Sequence, residues 1–260
     1  MNSKVLAEVT TIWQQYWLKK KTLTLDSYMR YFWNEHLKYI IPVVRNLSEE
    51  PIIIDVGVGV GALLEMILNV KHARGIGLDI SVSAIRKTKV RFNGSRENDV
   101  SLIIGDVFHL PFRSASFHVV ICLGLIEHFK DNITPLLNVL KLVKKGRYAF
   151  ISVPQRGSLY TPWKHWQIRT RTWPFGYERE FTMNELNNIC KVNGLSNFKI
   201  VGVDFYPSII KIFPLEFIIR PLVVILTKYL EHRVKNIKLA HMIMIIYRNI
   251  SATELVKYLT

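Results

Sequence analysis

Three glycines spaced two apart, Gly57, Gly59 and Gly61, follow an acidic residue, Asp55, at the end of an apolar run, Ile52-Ile53-Ile54. Glycine lets the backbone approach a ligand closely, because no Cβ intervenes. A helix-like pattern, Ala62-Leu63-Leu64-Glu65-Met66-Ile67-Leu68, begins at once. The start of a helix offers free N–H groups and positive potential to an anionic group. The chemistry this spacing serves is the binding of a nucleotide-like cofactor near residue 60. Asp79, 22 residues beyond Gly57, closes a second short apolar run, Gly75-Ile76-Gly77-Leu78. A carboxylate there can accept hydrogen bonds from both hydroxyls of a ribose. It equally suits the N-cap of a helix starting near Ser81.

Two cofactor classes fit this much. Gly57, Gly59 and Ala62 satisfy the G-x-G-x-x-G/A dinucleotide fingerprint. Asp55 through Gly61 also spell D-x-G-x-G-x-G, and a ribose carboxylate at Asp79 serves both classes. The third segment separates them: Gly105-Asp106-Val107-Phe108-His109-Leu110-Pro111-Phe112, then Ser116-Phe117-His118-Val119-Val120, then Glu127-His128. A carboxylate such as Asp106 can accept from an exocyclic amine, while a neighbouring peptide N–H donates to a ring nitrogen. The whole series resembles the class I S-adenosylmethionine-dependent methyltransferases of the small-molecule and lipid type. The resemblance runs from Pro51 to Pro154 and continues more loosely through Glu180–Leu195. One departure is His118, where the family often has Asp at a position that is usually structural. The resemblance implies S-adenosylmethionine as cofactor, held by Asp55, Gly57, Gly59, Gly61, Asp79, Ile80, Asp106, Val107 and Cys122.

The elements that must position these residues alternate. Strands are expected near 51–56, 74–79, 100–104, 117–123 and 147–153, with helices near 60–70, 82–92 and 132–145 between them. Such alternation implies a parallel sheet with right-handed crossovers. A helix over 182–193 and strands over 198–206 and 240–248 complete an α/β, Rossmann-like, seven-stranded, mostly parallel sheet with helices on both faces. The resemblance places the last strand antiparallel between the fifth and sixth. Residues 1–48 form an N-terminal helical extension or lid with helices over 4–20 and 24–46, and residues 49–260 the methyltransferase domain. Tyr28, Tyr31 and Phe32 lie one turn apart and are suited to cover the cofactor, although aromatics at helical spacing are commonly packing.

Insertions at 155–180 and 207–238 are expected to carry acceptor specificity. From Asn132 through Tyr177 the chain has eight Lys or Arg and no Asp or Glu, with Trp163, Trp166 and Trp173 among the later bases. Such interleaving suits a planar or apolar acceptor with a phosphate, stacked bases of single-stranded nucleic acid, or a solvated basic loop whose tryptophans plug the core. The apolar 207–238 segment has no uncharged run near the roughly 20 residues that cross a bilayer. Core, homodimer, acceptor and peripheral membrane contacts all suit it. The net charge of +15 draws anionic membranes and nucleic acid alike. Cys122 and Cys190, with no zinc spacing, suggest buried thiols in a reducing cytoplasm, and the N-terminus lacks the apolar run of a signal peptide.

The expected reaction is direct displacement at the activated methyl by an O, N or C atom of a small or lipid-like acceptor. Positioning and desolvation supply most of the acceleration. An oxygen acceptor would gain from a general base, for which His128 and then His165 are the candidates. Relatives with E-x-x-E-H at this point bind a divalent ion. Here Gly124 takes the first place before Glu127-His128, so no required metal is expected. An RNA methyltransferase and a non-catalytic cofactor-binding partner subunit are the alternatives.

Overall fold

The structure is a computed structural model, and it describes residues 3–20, 23–24, 27–47, 50–94, 99–158, 160–204 and 240–250. The 207–238 insertion and the side chain of Tyr28 lie outside the described residues. Two helices, α1 (Ser3–Lys19) and α2 (Ser27–Arg45), precede the sheet. The α/β unit then runs β1 (Ile52–Val56), α3 (Ala62–Leu68), β2 (Arg74–Asp79), α4 (Val82–Phe92), β3 (Val100–Ile104), β4 (Phe117–Leu123), α5 (Ile133–Lys141) and β5 (Val143–Pro154). After it come α6 (Tyr160–Arg169), α7 (Met183–Val192), β6 (Phe198–Val203) and β7 (Met242–Arg248).

The seven strands lie in the order β3-β2-β1-β4-β5-β7-β6. β7 runs antiparallel between β5 and β6, and the other neighbouring pairs are parallel. Continuous β-branched runs suit these strands because helices cover both faces of the sheet. Side chains alternate between two cores, as a period of two requires. Ile54, Val56, Val120, Cys122, Ile151 and Ile243 join Leu136, Val139 and Leu186 on one side. Ile53, Val119, Ile121, Phe150 and Met244 meet Ile40, Leu64 and Ile67 on the other. His118 has a structural role, its Nδ1 accepting from Ile52 N–H at 3.0 Å and so tying β4 to the start of β1. Both cysteines are free and buried.

Two boundaries differ from the sequence expectation. The helix expected to reach 145 ends at Lys141, because the chain from Val143 already pairs with β4, beginning opposite Phe117. The stretch after β5, read from sequence as a basic loop, folds as α6 over residues 160–169. Pro162 is tolerated there because it sits in the first turn, where backbone N–H groups lack intrahelical partners.

Candidate cofactor and acceptor site

β1 has β2 on one side and β4 on the other, so the chain crosses over in opposite directions from its carboxyl end. A crevice forms at that point in open α/β sheets. The glycine turn lies there. Gly57, Gly59 and Gly61 have φ of 85°, 57° and 73°, in the left-handed region that side chains disfavour. The N–H groups of Gly57 and Val58 both donate to Leu78 O, at 2.7 and 3.0 Å. A Cβ on Gly61 would stand 2.6 Å from Thr88 Cγ2, and one on Gly57 3.3 Å from Leu125 Cδ2.

Asp79 fastens this turn to the next crossover. Its Oδ2 accepts from Gly59 N–H at 2.9 Å and its Oδ1 from Ser81 N–H at 2.8 Å. The N-cap of α4 is Ser81, whose Oγ accepts from Ala84 N–H at 3.2 Å. Asp55, at the end of β1, is also buried. Burial pushes its carboxyl up to about 7, and Asp79 adds to the shift. Burial pushes Asp79 up to about 6 against three backbone hydrogen bonds that lower it. Both carboxyls therefore titrate near neutrality, poised to ionise fully beside a positively charged ligand.

Asp106, beyond β3, closes an Asx turn by accepting from Phe108 N–H at 2.9 Å, and its Oδ2 lies 2.8 Å from His109 Nδ1. Val107 is buried beside it, with its carbonyl accepting from Asn138 Nδ2 at 3.2 Å. Ile80 follows Asp79 directly, between β2 and the cap of α4. Cys122 is fully buried in β4, where burial raises its thiol. The expected cofactor residues thus gather along the carboxyl edge of β1, β2, β3 and β4. Glycines that leave room for close approach, with buried carboxyls beside them at the strand ends, fit an adenosyl cofactor.

Trp17 of α1 lies over the turn. A Cβ on Gly59 would lie 2.9 Å from Trp17 Cζ2. Trp17 stacks on Trp13 at 6.2 Å, and Trp13 stacks on Phe175 at 5.7 Å. Gln14 locks the helix in place: its Oε1 accepts from Ser81 Oγ at 2.9 Å and its Nε2 donates to Ser83 Oγ at 2.7 Å. On α2, Phe32 packs on His36, at 4.6 Å, and on His241, at 6.0 Å. The aromatic residues of α1 were visible in the sequence, but their target was not.

His128 ends a short 3-10 turn, Ile126–His128, just past β4. Its ring is buried, and the Trp13 ring meets it edge-on at 4.9 Å. Nδ1 lies 2.9 Å from Tyr177 O. A carbonyl only accepts, so Nδ1 carries the proton. Burial depresses the imidazole to about 4, against the Tyr177 bond that raises it. The ring is therefore neutral near pH 7, with a lone pair on Nε2. His165 stands on the solvent side of α6 with its Nε2 3.2 Å from Glu180 Oε1 and its side chain 54% exposed.

Sequence inspection missed a buried ionic cluster beside His128. Lys164 Nζ, on the inner face of α6, lies 3.0 Å from Glu178 Oε1 and 2.5 Å from Glu180 Oε1. Burial and the nearby Glu178 hold the Glu127 carboxyl well above the usual range. Further along the sheet edge, His241 Nδ1 lies 2.9 Å from Asp204 Oδ2, and His36 Nε2 3.1 Å from Ser152 Oγ. The Tyr160 ring packs 4.2 Å from His241. Lys164 and Glu178 sit 14 positions apart, Asp204 and His241 37 apart, so no local pattern announces either pair. Among the described residues no group of three or more His, Cys, Asp or Glu is arranged to hold a metal.

A family model for a methyltransferase domain matches residues 53–146, the stretch from β1 to the start of β5. A ubiquinone biosynthesis O-methyltransferase of Nitrosomonas europaea is 29% identical over 187 residues, 69% of this chain and 77% of that protein. The fold is similar to a chain in the complex between the Haloferax volcanii Trm112 methyltransferase activator and a methyltransferase. That match has a TM-score of 0.62 at 15% identity, over 92% of this chain and 98% of that one. A Haemonchus contortus phosphoethanolamine N-methyltransferase, solved with S-adenosylhomocysteine, matches with a TM-score of 0.60 at 15% identity, over 84% of this chain and 53% of its own. Strand order, glycine turn and the matched domain agree: residues 53–146 are similar to a methyltransferase domain, and the fold is that of solved S-adenosylmethionine-dependent methyltransferases.

Proposed function

We propose that this methyltransferase acts on an oxygen of a small or lipid-like acceptor, with His128 taking the proton. The observation that carries the reading is the fixed tautomer of His128. Its Nδ1–H is committed to Tyr177 O, its ring is buried and neutral, and Nε2 is left to accept. The adjoining Leu125 lies against the glycine turn, which sets this segment at the cofactor crevice. When bound, S-adenosylmethionine supplies a methyl group activated by its sulfonium. The protein supplies position and a dry setting: α1 covers the turn, and Trp13 shields the imidazole. An alcohol or phenol that attacks the methyl loses its proton, and a neutral imidazole can receive it. The likeness to an O-methyltransferase of ubiquinone biosynthesis supports an oxygen acceptor.

The test is methyl transfer from labelled cofactor to lipid extract, hydroxylated metabolites and RNA, by wild type and by His128→Asn. The expected result is label in a hydroxyl-bearing product. His128→Asn should keep its affinity for S-adenosylhomocysteine and lose about 10²–10⁴-fold in rate. Label entering RNA alone, or an undiminished rate in the variant, would overturn the reading.

A further inference from the structure

The 177–180 segment runs beside the turn after β4. Tyr177 O meets His128 Nδ1, and Arg179 N–H donates to Glu127 O at 3.0 Å. Glu178 stands close enough for its charge to raise the Glu127 carboxyl. Lys164 Nζ contacts Glu178 and Glu180, and His165 reaches Glu180 from the solvent side. Glu127 is 2% exposed, and among the described residues no ion pair reaches it and its Oε2 has no hydrogen-bond partner. Buried polar atoms are as a rule hydrogen-bonded, so this oxygen is an acceptor held for a further donor. A wall of aromatic rings flanks the cluster. Trp13 meets His128 edge-on and stacks on Phe175. Phe175 lies 5.0 Å from Trp173, and Trp173 lies 6.1 Å from Tyr160. Lys164 Nζ is 5.5 Å from the centre of the Trp173 ring, so the wall already turns an aromatic face to one ammonium.

We infer that the acceptor carries an ammonium group, which donates an N–H to Glu127 beside this wall. The inference deepens the reading above and rests on its claim that the acceptor enters beside His128. Charge decides among acceptor classes. A phosphate or carboxylate would face Glu127 and Glu178 and be repelled. A neutral hydroxyl would pair the Glu127 oxygen and leave its charge without a counterpart. An ammonium supplies both the donor and the charge, and aromatic faces strengthen the contact where water is excluded. The basic composition of the segment after β5 does not reverse this. Lys164 is buried against two carboxylates, while Arg156, Arg169 and Arg171 are exposed. Before the acceptor arrives, burial and Glu178 favour a proton on Glu127, and the incoming ammonium displaces that proton to water. The ammonium is a binding group and not the methylated atom, because a protonated amine has no lone pair with which to attack.

Calorimetry on the full chain saturated with S-adenosylhomocysteine tests it, with tyramine, para-ethylphenol and para-hydroxyphenylpropionate as probes. All three offer the same phenol oxygen, and their side chains end in an ammonium, a methyl and a carboxylate. Tyramine is expected to bind about tenfold or more tighter than para-ethylphenol, and the propionate more weakly than either. Glu127→Gln keeps the shape and removes the charge, and it should erase the preference for tyramine. Trp173→Leu removes one ring of the wall and should weaken tyramine about threefold. Each variant is first shown to bind S-adenosylhomocysteine as wild type does, and the wild-type ranking decides by itself if a variant does not fold. Equal affinity for the probes, no tyramine binding at millimolar concentration, or a preference that survives Glu127→Gln would overturn the inference. The same titration on His128→Asn separates the two readings. A lost ranking with the His128 rate effect intact strikes this inference alone, and an intact ranking with a rate indifferent to His128 strikes the proposed base alone.

Discussion

Replacing Gly59 by alanine tests whether α1 is seated on the cofactor turn. Gly59 has φ of 57°, where an L-residue costs roughly 1–2 kcal/mol. The new methyl would also sit 2.9 Å from Trp17 Cζ2 and 3.1 Å from its Cη2. That ring cannot turn aside cheaply, because Trp13 stacks on it at 6.2 Å and Tyr16 meets it edge-on at 4.9 Å. The helix must lift, which pulls on the Gln14 bonds to Ser81 and Ser83. Two costs are therefore expected: the backbone term, and about 1 kcal/mol or more for displacing α1. Trp17→Ala removes the obstacle and leaves the backbone term. Urea denaturation of wild type, both single variants and the double variant should show a double-variant loss smaller than the sum by about 1 kcal/mol. Calorimetry should show weaker S-adenosylhomocysteine binding in Gly59→Ala, partly restored in the double variant. Losses that add within about 0.5 kcal/mol would refute the seating of α1 on this turn.

Lys164→Met should destabilise the fold by about 3–5 kcal/mol, because it leaves the buried Glu178 and the neighbouring Glu180 without their shared ammonium. Adding Glu178→Gln should recover part of the loss in the same urea titration. Cofactor affinity should fall as pH drops from 8 to 5, because Asp79 must be ionised to accept from ribose hydroxyls and titrates at about 6, with Asp55 at about 7. Calorimetry in buffers of different ionisation enthalpy should detect proton release on binding near pH 6, and none would count against the ribose role. For the free protein the raised carboxyls contribute stability below their unfolded values and lose it as pH rises through 6 to 7. The depressed His36 and His128, both at about 4, contribute above 6.5 and lose it as pH falls. The two trends oppose, so apo stability should vary less between pH 5 and 7 than the affinity does. Thermal melts of Asp55→Asn and His128→Asn should expose each trend separately.

What the sequence determined by itself is local. Ile52–Val56 is a strand because β-branched side chains fill both faces of a covered sheet, and Gly57–Gly61 turn because left-handed backbone needs glycine. Asp79 and Asp106 stand at strand ends, where their spacing from those runs put them. The antiparallel last strand followed from family resemblance, since no residue within it encodes which neighbours it meets. The tertiary structure alone decided which aromatics cover the turn, which tautomer His128 adopts and where Lys164 buries its charge. Gln14 reaches Ser81 across 67 positions and His128 reaches Tyr177 across 49. Periodicity reports that a side chain is buried, and it carries no information on the partner. Those contacts exist only once the sheet has brought its carboxyl edge, α1 and the segment after β5 to one place.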